Sequence, residues 1–509
     1  MPMTFEPYLL TLGLQALGGL GIGLAILWIY RRIHRQSTIA ANIFAGGLLL
    51  RAFLGVVLFW ISYLDLSFLG RLHRGDGYWS LAPDAFWYMT RAATAATEGL
   101  DTIMPRSASP SYVMAVALWM RLVGMSPISG MFLNLFMYCV LCALLVYVWK
   151  PTNDWRAHWP LLALLAAFSL SPVHVIHGSQ SLKDDVFSFI IVLGAVGVFF
   201  MSNAVASGAR TLLSSRRAVL AGLAAWLAAI YGAAGIRAYF AFFMTCSLTA
   251  ILGLWMLRLR RETLFRQVIF SVAVAALSVA VYVRAAGPHD LYLSRVSRIL
   301  VNRTGAAGNE GMVAMVLRRI DQARAGFARS GGDTNLVSTP LPPPESAAGV
   351  QGNERSGGRV RATLPMATTP QGYARRLGMG LATLFIPISA LEALSIVDID
   401  GGGGLLFVTD IDTLFVDATL LLTFVVLYMR WDAVRRRLPF VSYLFLLGGT
   451  TSLLLAYVVT NFGTQFRLRM LAVVPLWLMI LATMDRDATP ADLNEDPRAS
   501  PPTLPGTTG

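Results

Sequence analysis

A scattered set of charged residues has the types and neighbours needed for chemistry on an anion. Asp76 and Asp84 lie in RGDGYWSLAPDAFWYMTR, Lys183, Asp184 and Asp185 in HGSQSLKDD, Arg237 in GIRAYF, and Arg467 and Arg469 in GTQFRLRM. Carboxylates can remove a proton, whereas Lys and Arg can hold a phosphate, Arg through a planar bidentate fork. Each of these residues falls at the end of an apolar stretch, and one alternating path of the chain puts them all on the same membrane face. Such a set suits a substrate whose anionic phosphate is anchored by a lipid tail. Lys150 and Lys183 are the only lysines, which singles Lys183 out.

Other patterns carry less. His174 and His177 are spaced like metal ligands, but no convincing third ligand lies near them, so they are expected to be structural. The GGGG run at 401–404 lacks a following Lys-Ser or Lys-Thr and is expected to be a connection, not a phosphate cradle. Cys139, Cys142 and Cys246 all lie in apolar runs and can build neither a disulfide framework nor a zinc cluster. Asp410, Asp412 and Asp417 are expected near an outer helix end, without an assigned role.

The elements that must position these residues are membrane spans. Of 509 residues, 56% are hydrophobic and 14% charged, with a mean hydropathy of +0.60. Soluble domains carry about a quarter charged residues, so a soluble globule is excluded. The net charge of +13 does not point to nucleic acid, because the Arg clusters sit beside apolar runs, where they set orientation and meet anionic lipid. The expected fold is an all-α polytopic membrane protein of about 11 spans, or up to about 13. They fall near 8–30, 41–63, 128–149, 157–176, 185–204, 217–235, 238–257, 267–284, 408–429, 440–460 and 468–484. Basic clusters at Arg31–Arg35, Lys150–Arg156, Arg210–Arg217, Arg258–Arg266 and Arg435–Arg437 then all face the cytoplasm. The N-terminus lies outside, and the first span is retained, not cleaved as a signal peptide.

Two apolar stretches, 108–124 and 377–395, break this charge pattern if they span, and are expected at the outer interface. Four regions result. Residues 1–284 form an N-terminal transmembrane module with an external loop at 64–127, and 285–376 a partly disordered external loop. Residues 377–484 form a second transmembrane module, and 485–509 a disordered cytoplasmic tail. In the first loop, Pro83 opens a helix with Asp84, Tyr88 and Arg91 on one face. Ionisable residues are nearly absent from the spans, Arg51 excepted, which argues against ion-coupled transport.

The order of these features resembles the GT-C superfamily of integral-membrane glycosyltransferases, in particular the branch holding protein O-mannosyltransferases and lipid A aminoarabinose transferases. Asp84 and Tyr88 in DAFWY match that family's first-loop acid followed four residues later by Tyr. SYVMAVALWMRLVGMSPISGMFLNLF is similar to its interfacial helix and following span. LSPVHVIHGSQSLKDD is similar to its Ser-Pro and Lys-Asp passage, GIRAYF to its Arg-Pro-Tyr element, and FRLRMLAVVPLW to its late Arg-x-Arg passage. Ala85 stands where many relatives carry a second, metal-binding acid, so the resemblance gives no support to a divalent metal and implies no other cofactor. The family's large ordered external domain is also missing.

The resemblance implies transfer of a sugar from a polyprenyl-phosphate donor to an envelope acceptor at the outer face of a bacterial inner membrane. It makes the lipid-linked donor and membrane lipids the partners, with no nucleic acid. Displacement at an anomeric carbon needs a base and a group that stabilises the departing phosphate. Asp84 is the expected base, with Asp76 its rival. Lys183, Arg237, Arg467 and Arg469 are the expected phosphate ligands, supported by Tyr88, Asp184 and Asp185. Two alternatives stay open: a polysaccharide polymerase or O-antigen ligase using Arg295, Arg298, Arg303, Arg318 and Arg319, and a non-enzymatic flippase or assembly subunit.

Overall fold

The computed structural model describes residues 5–67, 73–79, 82–103, 109–206, 216–256, 261–286, 359–360, 370–393, 399–400, 403–458 and 462–484. Most of the expected external loop at 285–376, including Arg295, Arg298, Arg303, Arg318 and Arg319, lies outside the described residues. So does the whole tail after residue 484.

The described chain is mainly helical. In order it forms α1 (Phe5–Gln36), α2 (Thr38–Tyr63), α3 (Pro83–Glu98), α4 (Pro110–Val123), α5 (Ser129–Trp149), α6 (Trp155–Leu170) and α7 (Pro172–Gly178). The long helices α8 (Asp184–Ala206), α9 (Arg216–Met256) and α10 (Arg261–Ala286) follow. The C-terminal part contains α11 (Pro370–Phe385), α12 (Ile388–Ala393), α13 (Gly403–Met429), α14 (Trp431–Arg436), α15 (Leu438–Val458), α16 (Phe462–Leu468) and α17 (Met470–Leu478). Strands occur only as two antiparallel ribbons among the described residues. β1 (His73–Gly75) pairs with β2 (Tyr78–Trp79), and β3 (Arg359–Val360) with β4 (Ile399–Asp400).

This is an all-α polytopic membrane protein. Among the described residues nine helices are long and apolar enough to span, or ten with the bent pair α6–α7. The expected count of eleven is reached only if α9 is divided. At 41 residues α9 is about 60 Å long at 1.5 Å per residue, twice the hydrocarbon thickness, and it breaks at Arg237 (φ −146°, ψ 81°). The expected interfacial stretch 108–124 forms α4, of 14 residues, and 377–395 covers the second half of α11, of 16 residues, and α12, of 6; each helix is too short to cross.

Burial runs from the rim to the centre. Only 6% of the α1 span is buried, against 83% for α8 and 89% for the last span at Gln465–Thr483. The exposed leucines of α1 form a lipid-facing surface. Where α8 crosses α9, a Cβ on Gly197 would stand 2.7 Å from the Gly222 carbonyl oxygen, so only glycine lets these backbones approach so closely.

The α6–α7 bend of 51° exposes helix ends inside the bundle, where no water can satisfy them. Charge of the appropriate sign covers each end. Arg51 of α2 donates to the Phe168 and Ser169 carbonyls at the C-terminus of α6 and lies 4.2 Å from the Tyr138 ring centre. At the N-terminus of α7, Asp412 Oδ1 accepts from Val173 N–H at 2.9 Å and from Ser171 Oγ at 3.1 Å. A cation at a helix C-terminus and an anion at an N-terminus both match the macrodipole.

The basic clusters at Arg31–Arg35, Lys150–Arg156 and Arg435–Arg437 share one end of the bundle. Thr38 N–H donates to Asn153 Oδ1, Trp149 packs on Phe199, and the Arg437 guanidinium lies 5.3 Å from the Phe199 ring centre. Asp184, fifteen residues before Phe199 on α8, lies about 22 Å away along the helix, at the other end.

Candidate functional site

At that other end, residues from four distant parts of the chain converge. Pro83 occupies the first turn of α3, where its missing N–H costs nothing, and Asp84 follows in that turn. Asp84 Oδ2 accepts from Arg467 at 2.8 Å, while its second oxygen takes no hydrogen bond among the described residues. The Arg467 Nε lies 3.4 Å from Asp184 Oδ2, an ion-pair contact, so Arg467 bridges the two carboxylates. The second oxygen of Asp184, Oδ1, accepts from Arg237 at 3.2 Å. Arg237 also donates to the Tyr239 hydroxyl at 3.1 Å and lies over the Phe187 ring.

Lys183 completes the cluster without a carboxylate of its own. Its Nζ donates to Ser109 Oγ and lies 5.2 Å from the Tyr88 ring centre. Burial, together with the Arg237 and Arg467 guanidinium groups, pulls its pKa well below the usual lysine range. Tyr88 is pushed the other way, by burial first and the Asp84 charge second, and so keeps its proton. With Lys183 protonated, three cations face two carboxylates. The surplus positive charge is what an anionic phosphate would meet.

Local folding explains this placement. The Asn134 side-chain amide of α5 donates to the Gln180 and Leu182 carbonyls at 2.7 and 2.8 Å, which pins the loop that presents Lys183. The break in α9 frees the Ile236 carbonyl, and Ser109 Oγ donates to it at 3.0 Å. Ser109 itself adopts a left-handed conformation (φ 59°, ψ 57°) at the entrance to α4. One hydroxyl therefore ties the α9 break to Lys183.

Asp84, Tyr88, Lys183, Asp184, Arg237 and Arg467 thus lie together, as expected. Three expected site residues make other contacts. Asp76 is exposed at the tip of the β1–β2 hairpin, left-handed at φ 54° between Gly75 and Gly77, and its place is explained by the turn. Asp185 turns from the cluster to His174 Nδ1, at 3.3 Å. That packing needs Gly178, since a Cβ there would stand 2.3 Å from Asp185 Oδ2. Arg469 is bonded to Asp412, both fully buried, and donates to Thr413 and Leu384, so it braces α11 and α13 instead of facing the cluster. Arg91 lies over the exposed Trp87 ring. Asp410 accepts from Ile388 N–H at 2.6 Å and so caps α12.

Sequence reasoning passed over Ser109, Asn134, Tyr239 and His177. His177 is buried, its Nδ1 has no hydrogen-bond partner, and its ring feels the charges of Asp184 and Arg467. The signal was its spacing from His174, which was weighed only as a metal pair. Among the described residues no three His, Cys, Asp or Glu side chains are placed to hold a metal. The position after Asp84 does not fit one either, because Ala85 is buried with Ala82 and Leu182 and the nearest charged partner of Asp84 is a cation.

No family model, curated protein or solved structure matches the chain.

Proposed function

We propose that the protein transfers a sugar from a polyprenyl-phosphate-linked donor to an envelope glycan, lipid or protein at the outer face of a bacterial inner membrane. The carrying observation is the convergence of Asp84, Lys183, Asp184, Arg237 and Arg467 at the end of the bundle opposite the basic loops. The positive-inside rule makes that end the outer one. The anionic phosphate would enter between Lys183, Arg237 and Arg467, and its lipid chain would stay among the spans. The acceptor hydroxyl oxygen attacks the anomeric carbon while Asp84 takes its proton through the free oxygen. The bond from that carbon to the phosphate oxygen breaks, and its electron pair leaves with the lipid phosphate. That leaving group is a weakly basic anion, so no general acid is needed. This reading rests on the site geometry and on the resemblance of the ordered motifs to GT-C enzymes.

The test is complementation of a deletion strain, with envelope glycolipids and polysaccharides profiled by mass spectrometry. Asp84→Asn keeps the shape and removes the base, so transfer should fall by about a hundredfold or more at unchanged membrane abundance. Normal transfer in both Asp84→Asn and Asp76→Asn would end this mechanism.

A further inference from the structure

The span α13 carries an acid that the phosphate cluster does not use. Instead of the expected outer helix end, Asp417 occupies mid-span, ten residues from Phe407 and twelve from Met429, the two ends of the apolar stretch. At 1.5 Å per residue these separations are about 15 and 18 Å, so the carboxyl group stands near the middle of the hydrocarbon. It is partly exposed at the rim of the bundle, and among the described residues it makes no hydrogen bond and no ion pair. Arg469, a cation whose charge reaches it, is already held by Asp412, Thr413 and the Leu384 carbonyl. Two carboxylates thus share one guanidinium, and one negative charge is left over. A short Asp side chain cannot reach the interface as Lys or Arg can, and an acid without a partner in hydrocarbon is costly.

The surface around Asp417 is shaped for a helix. Leu414, Ala418, Leu421 and Val425 are exposed at successive spacings of four, three and four residues, the pattern along which one helix packs against another. Ala418, beside Asp417, is the smallest of these side chains, so a second helix comes closest at the depth of the acid. Asp417 flanks the stripe, within reach of a long side chain from such a neighbour. Lipid tails suit the leucines and the valine but offer the carboxyl group no hydrogen bond.

Charge decides between the candidate occupants. The chain segments 287–358 and 485–509 contain no run of ten apolar residues, the helical length that reaches mid-bilayer. A second copy, related by a two-fold axis along the membrane normal, would bring Asp417 to the depth of its own equivalent and set acid against acid. Nor does this chain have a spare cation to offer there, because Arg51 is buried and holds the Phe168 and Ser169 carbonyls. A foreign helix with a basic residue midway along its span supplies the missing charge, and its own buried cation gains a partner in return.

We infer that this face of α13 docks a transmembrane helix of another protein, one that carries Lys or Arg at mid-bilayer and pairs it with Asp417. The inference is independent of the transferase reading. The full-length protein, donor-labelled at its C-terminus, is reconstituted in lipid vesicles with an acceptor-labelled peptide of about 23 Leu and Ala residues between terminal tryptophans, carrying one central Arg. A central position lies at mid-depth whichever way the peptide inserts. Saturable energy transfer should appear at a peptide-to-lipid ratio about tenfold or more below that needed by the same peptide with a central Leu. Asp417→Leu, which leaves a surface suited to lipid, should remove the difference, and Asp417→Asn, which removes only the charge, should remove most of it. Shifting the Arg about 9 Å towards either peptide end should also abolish the preference. If Asp417→Leu does not reach the membrane, Asp417→Asn decides alone. Equal transfer with the Arg and Leu peptides, or an Arg preference that survives both Asp417 variants, overturns the inference. Energy transfer between donor- and acceptor-labelled copies of the protein itself, lost in Asp417→Leu, would make the face a self-interface and overturn it as well.

Discussion

Lys183 provides the sharpest quantitative test of the phosphate site. It is buried, its Nζ has only a hydroxyl and a ring face for neighbours, and two guanidinium groups stand close by. Asp184 and Asp84 partly offset that repulsion, but both already pair with Arg237 and Arg467. In the free protein the lysine pKa is therefore depressed. A bound phosphate restores the missing counter-charge and raises it. Between the free and bound pKa values, binding must take up a proton, so affinity falls as pH rises. The limiting slope is tenfold in Kd per pH unit, or about 1.4 kcal/mol. A short prenyl methyl phosphodiester is the right probe, because it does not itself titrate between pH 7 and 10. Calorimetry in two buffers of different ionisation enthalpy should show uptake approaching one proton per site in the upper part of that range. Lys183→Met should abolish the uptake, flatten the pH profile and weaken binding. The same depression means that stability rises with pH through this window, since the unfolded chain binds the extra proton. A Kd independent of pH from 7 to 10, without buffer dependence, would refute the reasoning. An ordinary lysine, titrating above 10, gives that flat profile.

The other predictions address geometry and support. Arg237→Lys should impair transfer about tenfold or more, because a point charge cannot hold Asp184, Tyr239 and a phosphate as a planar fork does; full activity would make Arg237 an interface anchor. Arg469→Met leaves Asp412 charged and buried, and should cost about 3–5 kcal/mol, seen as a lower midpoint in a thermal-aggregation assay. The double variant with Asp412→Leu should recover part of that loss, and an unchanged midpoint in the single variant would remove the bracing role. Cysteine placed at Thr102 should react with an impermeant maleimide from outside intact cells and cysteine at Asp154 should not, in a background lacking Cys139, Cys142 and Cys246; the reverse pattern would invert the orientation.

Much of the fold was legible because spans are long and apolar, and that signal needs no tertiary knowledge. The short helices α4 and α11 were also separable, since a span there would have put basic residues on the wrong side. The division of α9 was harder. Its break occurs at Arg237 in an otherwise helical sequence without proline, and what stabilises it is Ser109, 127 residues distant. The bend after α6 was marked by Ser171-Pro172, but the partners of its exposed ends, Arg51 and Asp412, come from α2 and α13 and left no local trace.

The site was legible as a set of charges and not as a geometry, and the passage FRLRM shows why. Residues two apart on a helix point about 200° from one another, so Arg467 and Arg469 cannot serve one ligand, yet nothing local says which faces it. Their partners decide. Arg469 meets Asp412 one to one in a fully buried pair and so leaves no charge unmatched. Arg467 holds two carboxylates, one of them shared with Arg237, and has beside it Lys183, which has no carboxylate of its own. Buried charge without a counter-charge is expensive and survives where a ligand supplies the missing partner. A surplus cation that, unlike Arg51, has no helix-end carbonyls to hold it therefore separates the residues placed for a substrate from those that hold the helices together.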